Sequence, residues 1–182
     1  KGASGLKGAK GATGVKGIKG ATGRKGTFAT STFSDFYDNA GGQNVTSGDV
    51  LNLDTTRQNS DSSTFVLSND AITINATDKF LINFQVTTGV SSGDARSVSK
   101  AYLQEWDGSS WSTVDGTTVY MYNRINNNEE NTGSASLIHS VTAGNAYRIF
   151  VTRHSGSGTI TTVADASRIT IMNIHGGVQG PK

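Results

Sequence analysis

The chain holds 182 residues, with sixteen basic and fourteen acidic side chains, a net charge of +2, one proline and no cysteine. The missing cysteine excludes a disulfide framework and a Cys-ligated zinc site, and no apolar run reaches the roughly 20 residues that cross a bilayer as a helix. The small net charge conceals a division: residues 1–26 carry seven cations and no acid, and the remainder carries fourteen acids against nine cations.

Residues 2–26 place glycine at every third position: Gly2, Gly5, Gly8, Gly11, Gly14, Gly17, Gly20, Gly23 and Gly26. Three polyproline-like chains wind round one axis only if the residue facing that axis has no side chain, and this requirement recurs every third residue. A flexible Gly/Ser linker needs glycine but no phase. The period therefore predicts a collagen-like triple-helical shaft over 1–26, these nine glycines at its axis, and two identical chains as partners. A low-complexity disordered tail is the competing reading. Lys7, Lys10, Lys16, Lys19 and Lys25 all take the third place of a triplet, which points to solvent. They are read as solubilising the rod, so no nucleic-acid partner is expected. The rod lacks proline, so a shaft of roughly 70–80 Å is expected to be marginal alone and to need a clamp holding three ends in register. Since Lys1 is not an initiator methionine, the chain is expected to be a segment of a longer one.

From Thr27 the texture turns all-β, with short apolar and β-branched runs separated by Gly, Asn, Asp and Ser. Phe28, Phe33, Phe36 and Tyr37 cluster just beyond the rod. Strands are predicted at 49–55, 63–67 and 71–75, the last two separated by a turn at Ser68, Asn69 and Asp70. The clearest is 79–90, where Phe80, Ile82, Phe84 and Val86 alternate with Asn83, Gln85 and Thr87, and Leu81 breaks the polar face. Further strands are read at 97–106 and 110–114 around an Asp107-Gly108 hairpin turn, then at 117–123. A polar loop covers 124–133. Strands follow at 134–142, 146–153, 159–163 and 167–174, and the last is apolar on both faces, which suggests a central strand or one covered by a partner subunit. About ten short strands at this spacing fit two packed antiparallel sheets, a sandwich or jelly roll over 27–175, with an open barrel as alternative. Beyond it, Gly177-Val178-Gln179 and Gly180-Pro181-Lys182 are two more triplets, a candidate restart of the shaft over 176–182.

A Gly-X-Y run leading into a β domain resembles the C1q/TNF-like family as found in collagen-like proteins of bacteria and bacteriophages. The residues that carry the likeness are the aromatic opening (Phe28, Phe33, Phe36), KFLINFQV at 79–86, AGNAYRIFV at 143–151, the turn at 155–158 and SRITIMNI at 167–174. The resemblance implies a ten-stranded jelly-roll sandwich, a compact trimer, first and last strands together at the rod end, and roles as trimerisation heads, binders or fibre components. Phe28, Phe33, Phe36, Phe150 and Met172 become trimer-interface candidates. The function expected is a structural homotrimeric fibre or appendage component of a bacteriophage virion, located at its surface or tail fibre, with other virion proteins and a host surface glycan or protein as further partners. A bacterial cell-surface or spore-coat adhesin is one alternative; a glycan-degrading spike enzyme is another, which would need a cleft with paired carboxylates.

No enzyme is expected, because the sequence carries neither a phosphate-binding glycine loop nor HExxH. No catalytic residue, cofactor or metal site is assigned. His139, His154 and His175 are isolated, though threefold symmetry could turn one axial histidine into three ligands, and Asp107, Asp115, Glu129 and Glu130 are the acids a calcium ion would use. Trp106, Trp111, Tyr120 and Tyr122 are receptor-contact candidates through stacking on a sugar or protein. Cross-strand packing is the competing reading for these aromatics and for Tyr102.

Overall fold

The computed structural model describes residues 1–17, 31–92, 96–124 and 130–174. Residues 1–17 form no helix or strand, and every one of them is exposed. Leu6 and Val15 are 102% and 100% exposed, so this segment buries no apolar side chain against its own domain.

The rest is all-β. In chain order the strands are β1 (Phe33–Asp38), β2 (Asp49–Val50), β3 (Thr55–Asn59), β4 (Phe65–Ser68), β5 (Ala71–Ile74), β6 (Asp78–Ser92), β7 (Ser97–Trp106), β8 (Trp111–Thr113), β9 (Val119–Asn123), β10 (Asn131–Val141), β11 (Asn145–Gly156), β12 (Thr159–Thr162) and β13 (Ser167–Asn173). They form two sheets, every pairing antiparallel. Sheet A runs β10-β6-β13-β1-β3, with β12 beside the last part of β6. Sheet B runs β4-β5-β11-β7-β8, with β2 on β11 and β9 on β7.

Period-2 alternation produces this sandwich. Phe80, Ile82, Phe84 and Val86 of β6 point inward with Phe36, Ile169 and Ile171; Phe65, Ile72, Ile74, Leu103, Met121, Tyr147, Ile149 and Val151 answer from sheet B, all at most 2% exposed. Phe65 and Phe80 meet edge-on across the layers at 6.0 Å. Each such side chain contributes roughly 1.5–3 kcal/mol on burial. A polar network also lies inside. The Thr88 hydroxyl meets the Ser99 hydroxyl at 2.7 Å, and Asn123 Nδ2 donates to the Thr88 carbonyl at 2.6 Å, joining β6 to β7 and β9 with all three residues at 0% exposure. At the sandwich edge a Cβ on Gly133 would lie 2.8 Å from Val119 Cγ2, so glycine there lets β10 close against β9.

The expected strands at 71–75, 79–90, 97–106 and 167–174 stand within a few residues of their predicted limits. Three readings need correction. Phe33, Phe36 and Tyr37 of the aromatic cluster lie on a strand, β1, paired with β13 and β3. The strand expected at 49–55 shortens to the two residues of β2: Leu51 and Leu53 are buried by an irregular segment tied to the Ile149 carbonyl and the Asp70 carboxylate, and the paired strand that follows is the polar β3. Between β7 and β8 the connection is a four-residue loop, not a two-residue turn, since Trp106 pairs with Trp111. The Asp107 carboxylate holds that loop by accepting from the Ser109 and Ser110 N–H groups. The turn after β4 is as expected, with Asn69 and Asp70 both at positive φ.

Candidate interaction faces

The side chains of sheet A that point away from the core form three rows across the strands. In the first, Ile138 stands opposite Leu81, Leu81 opposite Met172, and Met172 opposite Phe33. Ile138, Met172 and Phe33 are 67%, 39% and 37% exposed. Four apolar side chains thus line up in water at the end of the sandwich where the chain enters β1. The next rows are polar: Ser136, Asn83, Thr170 and Asp35, then Ser134, Gln85, Arg168 and Tyr37. Between β10, β6 and β13 they floor an open depression of about 400 Å³. Arg57 lies over the Tyr37 ring at 4.7 Å and reaches Asp35 at 3.5 Å.

Sheet B turns a different chemistry outward. Trp106 and Trp111 sit 5.7 Å apart, and the Arg148 guanidinium covers the Trp111 ring at 3.9 Å while its Nε donates to Gln104 Oε1 at 2.8 Å. One row on, Tyr102 and Phe150 are 5.5 Å apart, with Lys100 Nζ 5.7 Å from the Tyr102 ring. Beyond them Tyr120 (58% exposed) meets His154 at 5.0 Å, and Tyr122 is 46% exposed. The four receptor-contact candidates therefore share one face, and Tyr102, Lys100 and Arg148 join them.

The trimer-interface candidates do not converge. Phe33 and Met172 are neighbours on the outer face of sheet A. Phe36 lies at 0% exposure in the core, because alternation on β1 turns it inward, so its side chain has no surface left for a subunit contact. Phe150 is on sheet B, where the Gly48 backbone closes over its ring; a Cβ at Gly48 would lie 2.9 Å from it. Phe28 lies outside the described residues, as do Gly20, Gly23, Gly26, His175, Glu129 and the 176–182 segment. Gly2, Gly5, Gly8, Gly11, Gly14 and Gly17 all lie in the exposed segment. Sequence reasoning missed Ile138, whose only signal is an apolar residue on the polar side of an alternating strand.

At the edge between the sheets Glu105 gathers three donors. Tyr147 Oη and Asn145 Nδ2 reach its Oε1 at 2.6 and 2.7 Å, and His139 Nε2 is 3.2 Å from Oε2. Burial pushes the carboxyl up, but the bonds from Tyr147, Asn145 and His139 outweigh it, so Glu105 lies below its ordinary value. Burial and the neighbouring Glu105 raise the Tyr147 phenol. Asp107 is held at about 2 by the Ser110 and Ser109 donors, which leaves it engaged within its own loop. Among the described residues, no three His, Asp or Glu side chains gather in a way that would hold a metal.

The two sheets pack as an antiparallel sandwich whose fold is similar to jelly rolls of the tumour-necrosis-factor family. Similar solved structures include murine APRIL at pH 8.0, with a TM-score of 0.52 over 80% of this chain and 100% of that one at 7% identity. APRIL at pH 5.0 gives the same score at 6% identity, again over 80% and 100% of the two chains. The Eiger TNF of S. frugiperda matches with a TM-score of 0.50 at 12% identity, over 84% and 97%. At such identities the likeness is one of fold. No family model matches the sequence, and no curated protein matches it.

Proposed function

We propose that the chain is a structural component of a homotrimeric fibre, a collagen-like shaft clamped by a TNF-like head, and that the fibre belongs to a bacteriophage virion and contacts the host surface. The observation that carries this reading is the apolar row of sheet A, exposed at the end of the domain to which the Gly-X-Y segment leads. Three chains wound at one axis need this glycine period, and a row of Ile138, Leu81, Met172 and Phe33 facing water is what three copies of this domain would bury against one another. Proline-free triplets bearing lysine and threonine support a viral or bacterial setting, where hydroxyproline does not supply triple-helix stability. The outward aromatics of sheet B support the receptor contact.

Sedimentation equilibrium of the intact chain tests the assembly: a trimer is expected, and a monomer at micromolar concentration sinks the proposal. Circular dichroism should show a triple-helix signal that melts below the β domain, and Gly14→Leu should abolish that signal while the head stays trimeric. Labelled antibody against the domain, applied to virions and to host cells, separates a phage fibre from a bacterial surface adhesin.

A further inference from the structure

Within the receptor-contacting part of that reading, we infer that the outward ribbon of sheet B is a binding track for an acidic polysaccharide. It comprises Trp111, Trp106, Arg148, Tyr102, Lys100 and Tyr120. Three observations lead there.

The first is geometric. Register places Trp111 beside Trp106, Arg148 beside Gln104, and Tyr120 beside Lys100, so the six residues follow β7 from Trp106 to Lys100. At about 3.3 Å per residue the ribbon is roughly 20 Å long, with aromatic rings recurring along it. Half-exposed rings with polar edges offer apolar faces to a sugar ring and leave hydroxyls to the solvent and to neighbouring amides.

The second is charge. Among the described residues, neither Arg148 nor Lys100 has a carboxylate within 4.0 Å, and the outward positions of β7, β8, β9 and β11 along the ribbon contain no Asp or Glu. Arg148 and Lys100 lie four β7 residues apart in register, about 13 Å. A ligand with an acid every few sugars matches two fixed cations at that interval. A nucleic acid, charged at every nucleotide, matches poorly, and residues 27–182, with fourteen acids against nine cations, would repel it.

The third is how little the ribbon offers a peptide: short edges and few apolar side chains. Strands β7 and β11 are both flanked on either side, which leaves the unpaired edges along the ribbon to the three-residue β8 and the five-residue β9, and Val98 is the one aliphatic residue pointing outward on β7. A docking peptide draws on such an edge or on apolar pockets.

Calorimetric titration of the intact chain with a hyaluronan octasaccharide and an unsulfated chondroitin octasaccharide, against neutral chitooctaose, tests the track. Binding of at least one acidic probe is expected, about tenfold tighter than chitooctaose and weakened by salt. Trp106→Ala and Arg148→Gln should each cost about tenfold in affinity, with Arg148→Lys restoring part of it and circular dichroism unchanged throughout. Failure of both acidic probes, equal affinity for chitooctaose, indifference to both substitutions, or tighter binding of oligo-dT or a polyglutamate peptide overturns the inference. Sedimentation of the same samples keeps the two proposals apart: a trimer that binds no acidic glycan refutes the ligand class alone, and a monomer refutes the fibre whatever it binds.

Discussion

Met172→Lys is the sharpest test of the assembly face. Met172 is central in the apolar row, between Leu81 and Phe33, and 39% of it is exposed in the single chain. Fully burying such a side chain contributes roughly 1.5–3 kcal/mol, so closing over the exposed fraction contributes about 1 kcal/mol per chain and about 3 kcal/mol per trimer. Lysine forfeits that gain and adds three ammonium groups at one contact, each with a desolvation cost unless it reaches water. The trimer dissociation constant should therefore rise at least about a hundredfold. The domain itself should still fold, because the substituted face is not in the core. Sedimentation equilibrium across a concentration series reads the change, and Val66→Lys is the control. Val66 is also 39% exposed but belongs to sheet B, and its replacement should leave the trimer intact. If Met172→Lys sediments like the parent, or if both variants dissociate alike, the face has been assigned wrongly.

Three further substitutions probe the fold that presents these faces. Asn123→Ala removes the side-chain donor to the buried Thr88 carbonyl and one of the partners of the Thr88 hydroxyl, which keeps Ser99; this should cost about 1–3 kcal/mol and lower the β-domain melting temperature by several degrees, and a melt indistinguishable from wild type would falsify the role given to the network. Gly41→Ala combines a backbone at φ +62 with a Cβ placed 2.2 Å from the Ala164 nitrogen, so a loss above about 2 kcal/mol is expected, and a denaturation midpoint within error of the parent contradicts the geometry. Glu105 has a depressed folded-state pKa, so its stabilising share is complete above its ordinary value of 4.5 and disappears as pH falls through the lower folded value. Wild type should thus lose more stability than Glu105→Gln as pH drops below about 4.5, and parallel acid limbs in urea titrations refute the assignment.

The strands with an uninterrupted apolar stripe were legible because burial on one face leaves a period of two. Strand β6 shows it best: Phe80, Ile82, Phe84 and Val86 all point inward. Strand β1 carries the same inward set as Ser34, Phe36 and Asp38, and two polar members erase the stripe. Strand β3 is an edge strand of polar residues that follows the apolar Leu51 and Leu53, so the pattern pointed a few residues upstream of the true pairing. The aromatic half of the sheet B ribbon could be named from composition. Its cations could not, because Arg148 meets Trp111 only through the combined registers of β11 with β7 and of β7 with β8. The Glu105 cluster was hidden for the same reason, its donors being 34 to 42 residues away in sequence.

Register also bears on how a shaft and a head are joined. Strands β1 and β13 are antiparallel, Phe33 stands opposite Met172, and the Asn173 N–H donates to the Thr32 carbonyl at 2.8 Å. The chain therefore enters and leaves the domain at the same end, beside the apolar row. A shaft resuming after Ile174 would begin next to the incoming one; a node in line with the fibre would require the chain to run back along the sandwich, roughly 23 Å for seven extended residues. The chain's entry to and exit from the domain thus share the end at which the proposed trimer would close. It also answers the weakness of a proline-free triple helix. Ordering costs about 1–2 kcal/mol per residue in backbone entropy, and the first triplets of three separate chains gain too little to meet it. In the proposed trimer, three domains in contact through the row at their base would hold the adjoining chain ends at an effective concentration in the millimolar range, so that winding would become intramolecular and propagate away from the head.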